Sequence, residues 1–228
     1  MASGSPWTAQ LAVREPSAWP AFLTENSGLP GPRANLALLH DVALAAGPAE
    51  IEALLHDGGE YPVMCAAAAL ALRAQDPLDA AHARSLATDG RWRVREGVAT
   101  GLQLLGNSDL GALIETVGVW VDDPNPLVMR AAIAAICEPR LLRTPNGAAA
   151  ALDCCRRATA HLVGIPASVR RSDDVRTLRQ ALGYCWSIAV AADPAAGLSM
   201  FQALDTTDPD VAWIVRENQR KKRLAALL

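Results

Sequence analysis

"RWRVREGV" (Arg91–Val98) and "AWIVRENQ" (Ala212–Gln219) share the frame Trp-x-Val-Arg-Glu, once in mid-chain and once near its end. A frame written twice marks an internal repeat, which can be traced by aligning outward from both copies. Asp89, Asp123, Asp173 and Asp210 each stand five residues before an apolar anchor: Val94, Val128, Leu178 and Val215. An arginine follows the anchor directly at Arg95, Arg179 and Arg216, and one place later at Arg130. Two weaker copies precede these, at Pro32-Arg33 after Ser27 and at Val63 after Asp57-Gly58. The six anchors from Pro32 to Val215 are separated by 31, 31, 34, 50 and 37 residues, the period range of repeat arrays.

The periodicity between anchors is helical, with no convincing strand pair. It predicts helices over Arg33–Ala46, Ala49–His56, Tyr61–Ala74, Leu78–Ala87, Trp92–Leu105, Leu110–Val121 and Pro126–Ile136. Further on it predicts Ala148–Leu162, Val175–Ala192, Ala195–Leu204 and Val211–Leu227. Asn125-Pro126 and Asp208-Pro209 place a capping side chain before a proline at the first helical position, where its missing N–H costs nothing. Ser108 is expected to cap the helix that starts at Leu110. Each unit is then a helical hairpin that cannot bury its apolar face alone and must stack on its neighbours.

The stretch "DPNPLVMRAA" (Asp123–Ala132) resembles the turn and inner-helix start of a HEAT-like repeat, and Asp89–Val98 and Asp210–Gln219 look like variants of it. The resemblance implies an all-α, right-handed superhelix of about six stacked antiparallel helical hairpins, an armadillo-like α-solenoid. Its second helices would line a concave face, and the signature Asp and Arg would hydrogen-bond between adjoining repeats. The repeat domain is expected over residues 29–228. Residues 1–28, with Trp7, Trp19 and Phe22, form a capping segment able to fold back over the first repeat.

Composition agrees with helix. Hydrophobic residues make up 51% of the 228 but aromatics only 4%, so the core must come mainly from Ala, Leu and Val. The net charge of −3 exerts no global pull toward nucleic acid or anionic lipid. It is unevenly spread: up to Ala80, Arg14, Arg33 and Arg73 face nine acids, while Arg220-Lys221-Lys222-Arg223 is the only dense basic run. No secretory leader or membrane span is visible, and a cytoplasmic location is expected. The five cysteines, odd in number and without C-x-x-C spacing, read as buried reduced thiols.

Catalytic chemistry is thinly represented. His40, His56, His82 and His161 lie in different units. The adjacent Cys154 and Cys155 point about 100° apart on a helix and do not share a metal easily. "LPGPRANL" has prolines where a phosphate loop needs donating N–H groups. No catalytic residue, cofactor or metal is assigned.

Binding candidates are Trp92, Arg130, Arg170, Arg171, Trp186 and Trp213. Trp92 and Trp213 share a register and could stack on a planar ligand, or seal the groove between neighbouring helices. Trp186 could line the groove; Trp120 reads as core. The arginine column could grip an anion or pair with the signature aspartates, and the matched number of acids favours pairing. Arg130, displaced by one place, points about 100° away and is expected to be the free one. Extra length between Val128 and Leu178 is expected in loops, where Arg170 and Arg171 are the best local candidates for contacting an anionic partner, although an exposed solvated connector is the favoured reading.

Two functions from different classes follow. One is a non-catalytic module binding a protein or peptide on its concave face, the acidic first repeats preferring a basic surface. The alternative rests on a second resemblance, of "WIVREN" (Trp213–Asn218), to late helices of bacterial HEAT-like alkylpurine DNA glycosylases. That resemblance implies a nucleotide site drawn from Trp120, Asp123, Trp186 and Trp213. The charge balance disfavours such an enzyme, because duplex affinity comes mainly from cationic contacts.

Overall fold

The computed structural model describes residues 6–228, and every regular element among them is helical, with no strand. Contacts divide the chain into two compact units, Met1–Leu105 and Gly106–Leu228.

The first unit contains α1 (Pro6–Ala12), α2 (Trp19–Glu25), α3 (Leu36–Ala45), α4 (Pro48–Asp57), α5 (Glu60–Leu72), α6 (Pro77–Leu86) and most of α7 (Trp92–Ser108). Its centre is α5, in which every residue from Tyr61 to Ala71 is buried. The run Ala66–Ala69 keeps that helix slender, so α3, α4 and α6 can all pack on it. α7 approaches closely too: a Cβ on Gly97 or Gly101 would lie 2.3 Å from the Met64 carbonyl oxygen or 2.2 Å from that of Ala68. The N-terminal segment folds as α1, packed on α3, and α2, packed on α4 and α5.

The second unit contains α8 (Leu110–Trp120), α9 (Pro126–Ile136), α10 (Pro145–Gly164), α11 (Asp173–Ala192), α12 (Pro194–Gln202), α13 (Pro209–Gln219) and α14 (Lys222–Ala225). α11 is central and packs on α9, α10, α12, α13 and α14. Alternate helices associate: α9 with α11 and α11 with α13, and on the other side α8 with α10 and α10 with α12. Asn218 of α13, fully buried, donates to the Leu182 (2.9 Å) and Ile214 (2.8 Å) carbonyls and accepts from the Ser187 N–H (2.8 Å). It thereby fastens α13 to α11 in a place where an unpaired amide would be costly.

Most expected helices are present, and Pro126–Ile136 has the expected ends. Asn125 caps Leu127 (2.9 Å), and Asp208 caps Asp210 (2.9 Å) and Val211 (3.3 Å). Several details differ: the first expected helix starts at Leu36, capped by Asn35, and not at Arg33, and the helix expected from Ala148 starts at Pro145. Ser108 ends α7, and the cap before Leu110 is Asp109, whose carboxylate accepts the Ala112 N–H (3.0 Å). The expected Val211–Leu227 helix breaks at Lys221, whose extended backbone lets Leu224 turn in and become fully buried. The extra length after Val128 is mostly helical: α10 and α11 have 20 residues each, with a short 3-10 turn at Leu141–Arg143. The anchors Val63, Val94, Val128 and Leu178 are buried; Val215 is half-buried beside a buried Ile214, and Pro32 is exposed.

Candidate partner-binding site

Four turns are built alike, two of them at the signature aspartates Asp89 and Asp123, whereas Asp210 pairs with Arg179 and Asp173 is exposed at the start of α11. An aspartate carboxylate accepts the backbone N–H two residues on: Asp57 from Gly59 (3.0 Å), Asp89 from Arg91, Asp123 from Asn125 (2.8 Å each) and Asp208 from Asp210 (2.9 Å). Gly58 permits the first of these turns with a left-handed φ of 76°. In the first unit, turns 33 residues apart are tied together. Arg91 donates to the Gly58 carbonyl (2.7 Å) and Arg93 to the Glu60 carboxylate (3.1 Å). In the second unit Arg140 reaches Asn107 (3.0 Å, also 33 residues) and Arg179 reaches Asp210 (2.7 Å, 31 residues).

The arginine column is therefore only partly an acid–base ladder. Arg179 pairs with Asp210 as expected, but Arg95 donates to the Asp89 (2.6 Å) and Gly90 (3.2 Å) carbonyls of its own turn. The Asp89 carboxylate is held by Arg91 (2.7 Å), whose hydrogen bonds keep it below the ordinary carboxylate range. Arg130, expected to be the free member, is half-buried and engaged within the fold.

Trp92 and Trp213 share a register but meet different surroundings. Trp213 is half-buried on Gly183, where an added Cβ would lie 2.7 Å from its ring, and the Arg179 guanidinium covers it at 4.8 Å. It seals α13 against α11. Trp92 stays 53% exposed, with Arg93 beside it at 4.7 Å. It borders a cavity of about 270 Å³ together with Pro32, Leu36, Met64 and Glu96. Leu36 is itself 51% exposed, so two large apolar side chains flank one opening.

Arg170 and Arg171 part company. Arg170 is consumed internally: it donates to the Ile165 (2.9 Å) and Val163 carbonyls and pairs with Asp208 (2.5 Å). Burial alone would raise Asp208, but Arg170 and the two N–H groups of its turn hold it low. Arg171 is exposed and lines a cavity of about 610 Å³ with Arg170, Arg176, Arg179 and Asp210.

Trp186, a candidate for lining the groove, is fully buried; its indole N–H donates to the Thr159 hydroxyl (3.0 Å) and its ring lies 5.8 Å from Phe201. A side chain with no accessible surface cannot meet a partner, so its place is the core. Trp120 is buried as well. Asp122, next to the Asp123 turn, receives Arg157 and His161 (2.9 Å). All five cysteines are buried and reduced, Cys137 and Cys155 lying 3.7 Å apart at sulfur. Burial pushes the Cys154 thiol up to about 12. Among the described residues, no group of three or more His, Cys, Asp or Glu side chains is placed to hold a metal ion, and no helix is long and apolar enough to cross a membrane.

Sequence reasoning missed Leu36 and Met64 beside Trp92. Leu36 reads as an ordinary helical leucine, and only its place in the first turn of α3, next to the exposed Arg33, hints that it faces outward. No protein-family model matches the chain, and no curated protein or solved structure matches it.

Proposed function

We propose that the chain is a HEAT-like, α-solenoid-type repeat module that acts by binding a protein or peptide partner, with Trp92 as its anchor in the first unit. The observation that carries this is the exposed Trp92–Leu36 pair over its cavity. Interface energy concentrates in aromatic anchors set in small pockets, and a tryptophan left half in water by the fold has little structural reason to be there. The turn ties at 33 residues support the repeat assignment, as does the packing of alternate helices. Cross-linking pull-downs with the full chain and with Trp92→Ala test it. A partner captured by the native chain and lost by the variant, at unchanged helix content and melting temperature, is expected. Equal capture by both would refute the assignment of Trp92.

The cavity lined by Arg171, Arg176 and Arg179 is what favours the alternative, a DNA-binding protein related to alkylpurine glycosylases. Against it, Trp120 and Trp186 are buried, and Asp123 accepts a hydrogen bond from its own turn. Release of alkylated base from methylated duplex, lost in Arg171→Ala, would establish that alternative; salt-insensitive or undetectable duplex binding would dismiss it.

A further inference from the structure

In the second unit α8, α10 and α12 pack against one another in sequence, whereas in the first unit α4 and α6 both pack on α5 but scarcely on each other. The gap between them is a groove of about 850 Å³. One wall is a single stripe of α4: Ile51, Glu52, Leu55 and His56 sit at i, i+1, i+4 and i+5 and cover one face of the helix. The facing wall is Asp76, Asp79 and His82 of α6 and the turn before it. Ile51 and Leu70 lie buried at the floor of the groove, Leu55 is half-buried, and the exposed Glu52, His56, Asp76 and His82 form the rim, an arrangement into which an amphipathic helix can lie lengthwise.

Its charge selects the occupant. Asp79 is paired with Arg73 (2.9 Å), which also donates to the Ala46 carbonyl (2.7 Å), so the surplus negative charge is that of the exposed Glu52 and of Asp76, whose one carboxylate oxygen caps α6 at the Leu78 and Asp79 N–H groups (2.9 and 3.0 Å). We propose that the α4–α6 groove seats a basic amphipathic helix of a partner protein, apolar face toward Ile51 and Leu55 and cationic side chains toward Glu52 and Asp76. This surface is separate from the Trp92 cavity and does not depend on it.

The test uses fluorescence anisotropy on the full chain with a labelled helical peptide about 18 residues long, leucines at i, i+3, i+4 and i+7 and lysine or arginine elsewhere. A peptide of the same composition with its leucines dispersed is the control. The amphipathic peptide is expected to bind at least about tenfold more tightly than the control, a difference of about 1.4 kcal/mol. Glu52→Lys, on an exposed position, should weaken it by a similar factor, and Leu55→Ser likewise, while Trp92→Ala leaves it unchanged. Glu52→Lys decides the matter alone if Leu55→Ser does not fold. Equal binding of both peptides would overturn the proposal, as would loss on Trp92→Ala but not on Glu52→Lys. A native dimer made monomeric by Glu52→Lys would overturn it too, by giving the groove to a second copy. Because the Trp92 arm is read separately, either surface can fail without the other.

Discussion

Replacing Gly101 by alanine should destabilise the first unit, although the same change inside most helices would stabilise them. Alanine improves helix propensity over glycine by about 1 kcal/mol. At Gly101 the new methyl would lie 2.2 Å from the Ala68 carbonyl oxygen and 2.7 Å from the Ala71 methyl. Side-chain carbons do not come within 3.0 Å of such atoms, so α7 must retreat from α5 by about 0.8 Å. The Ala68 carbonyl belongs to the backbone of a buried helix and cannot rotate aside. A gap of about 0.5–1 Å forfeits a quarter to a half of each dispersion contact along the helix pair, and overpacking of this kind typically costs about 1–3 kcal/mol. Set against the propensity gain, this leaves a net loss of up to about 2 kcal/mol. Gly118→Ala is the control, because beyond its own stretch of helix backbone nothing lies within 4 Å of the added Cβ; it should gain about 0.5–1 kcal/mol. Urea midpoints of the two variants against the native chain measure the difference. Should Gly101→Ala prove as stable as Gly118→Ala, the backbone contact between α5 and α7 is not what holds them together.

Asn218→Ala should cost about 2–3 kcal/mol, because it removes three buried hydrogen bonds at once; a loss under about 0.5 kcal/mol in urea unfolding would contradict this. The folded-state pKa of Asp89 is depressed by its hydrogen bonds from Arg91, so its contribution is complete above the ordinary carboxylate pKa of 3.8 and drains away as the pH falls through the lower folded value. Asp89→Asn should therefore be less stable than the native chain near neutrality, with the gap narrowing in acid; a gap independent of pH would refute the linkage. With every thiol buried, a disulfide reagent at pH about 8 should label none of the five cysteines in the native chain and all five in denaturant. Fast labelling of any one without unfolding would show it to be accessible.

The helix starts marked by a capping residue before proline were legible in the sequence because they rest on local chemistry. Asn125-Pro126 and Asp208-Pro209 form their caps from two neighbouring residues, and Asp89 and Asp123 close their turns within three. What escaped depends on distant neighbours. Trp92 and Trp213 are written in the same words, yet only Trp213 has a glycine, Gly183, waiting on the next helix to receive its ring. Arg170 and Arg171 are adjacent, but Asp208, 38 residues away, engages the first alone. At the register of Gly97, which lets α7 lie on α5, the later copy carries Asn218, which reaches across to α11 instead. α1 and α2, seven residues each, are too short to display a period.

The connector between α10 and α11 offers a practical opening. Arg170 staples its far end to Val163, Ile165 and Asp208, while Pro166 to Val169 stand outside that staple and are exposed. A reporter domain grafted between Ala167 and Val169 would hang from a stem already fixed at its base, leaving both long helices undisturbed and the Trp92 and α4–α6 surfaces of the other unit unaltered in sequence.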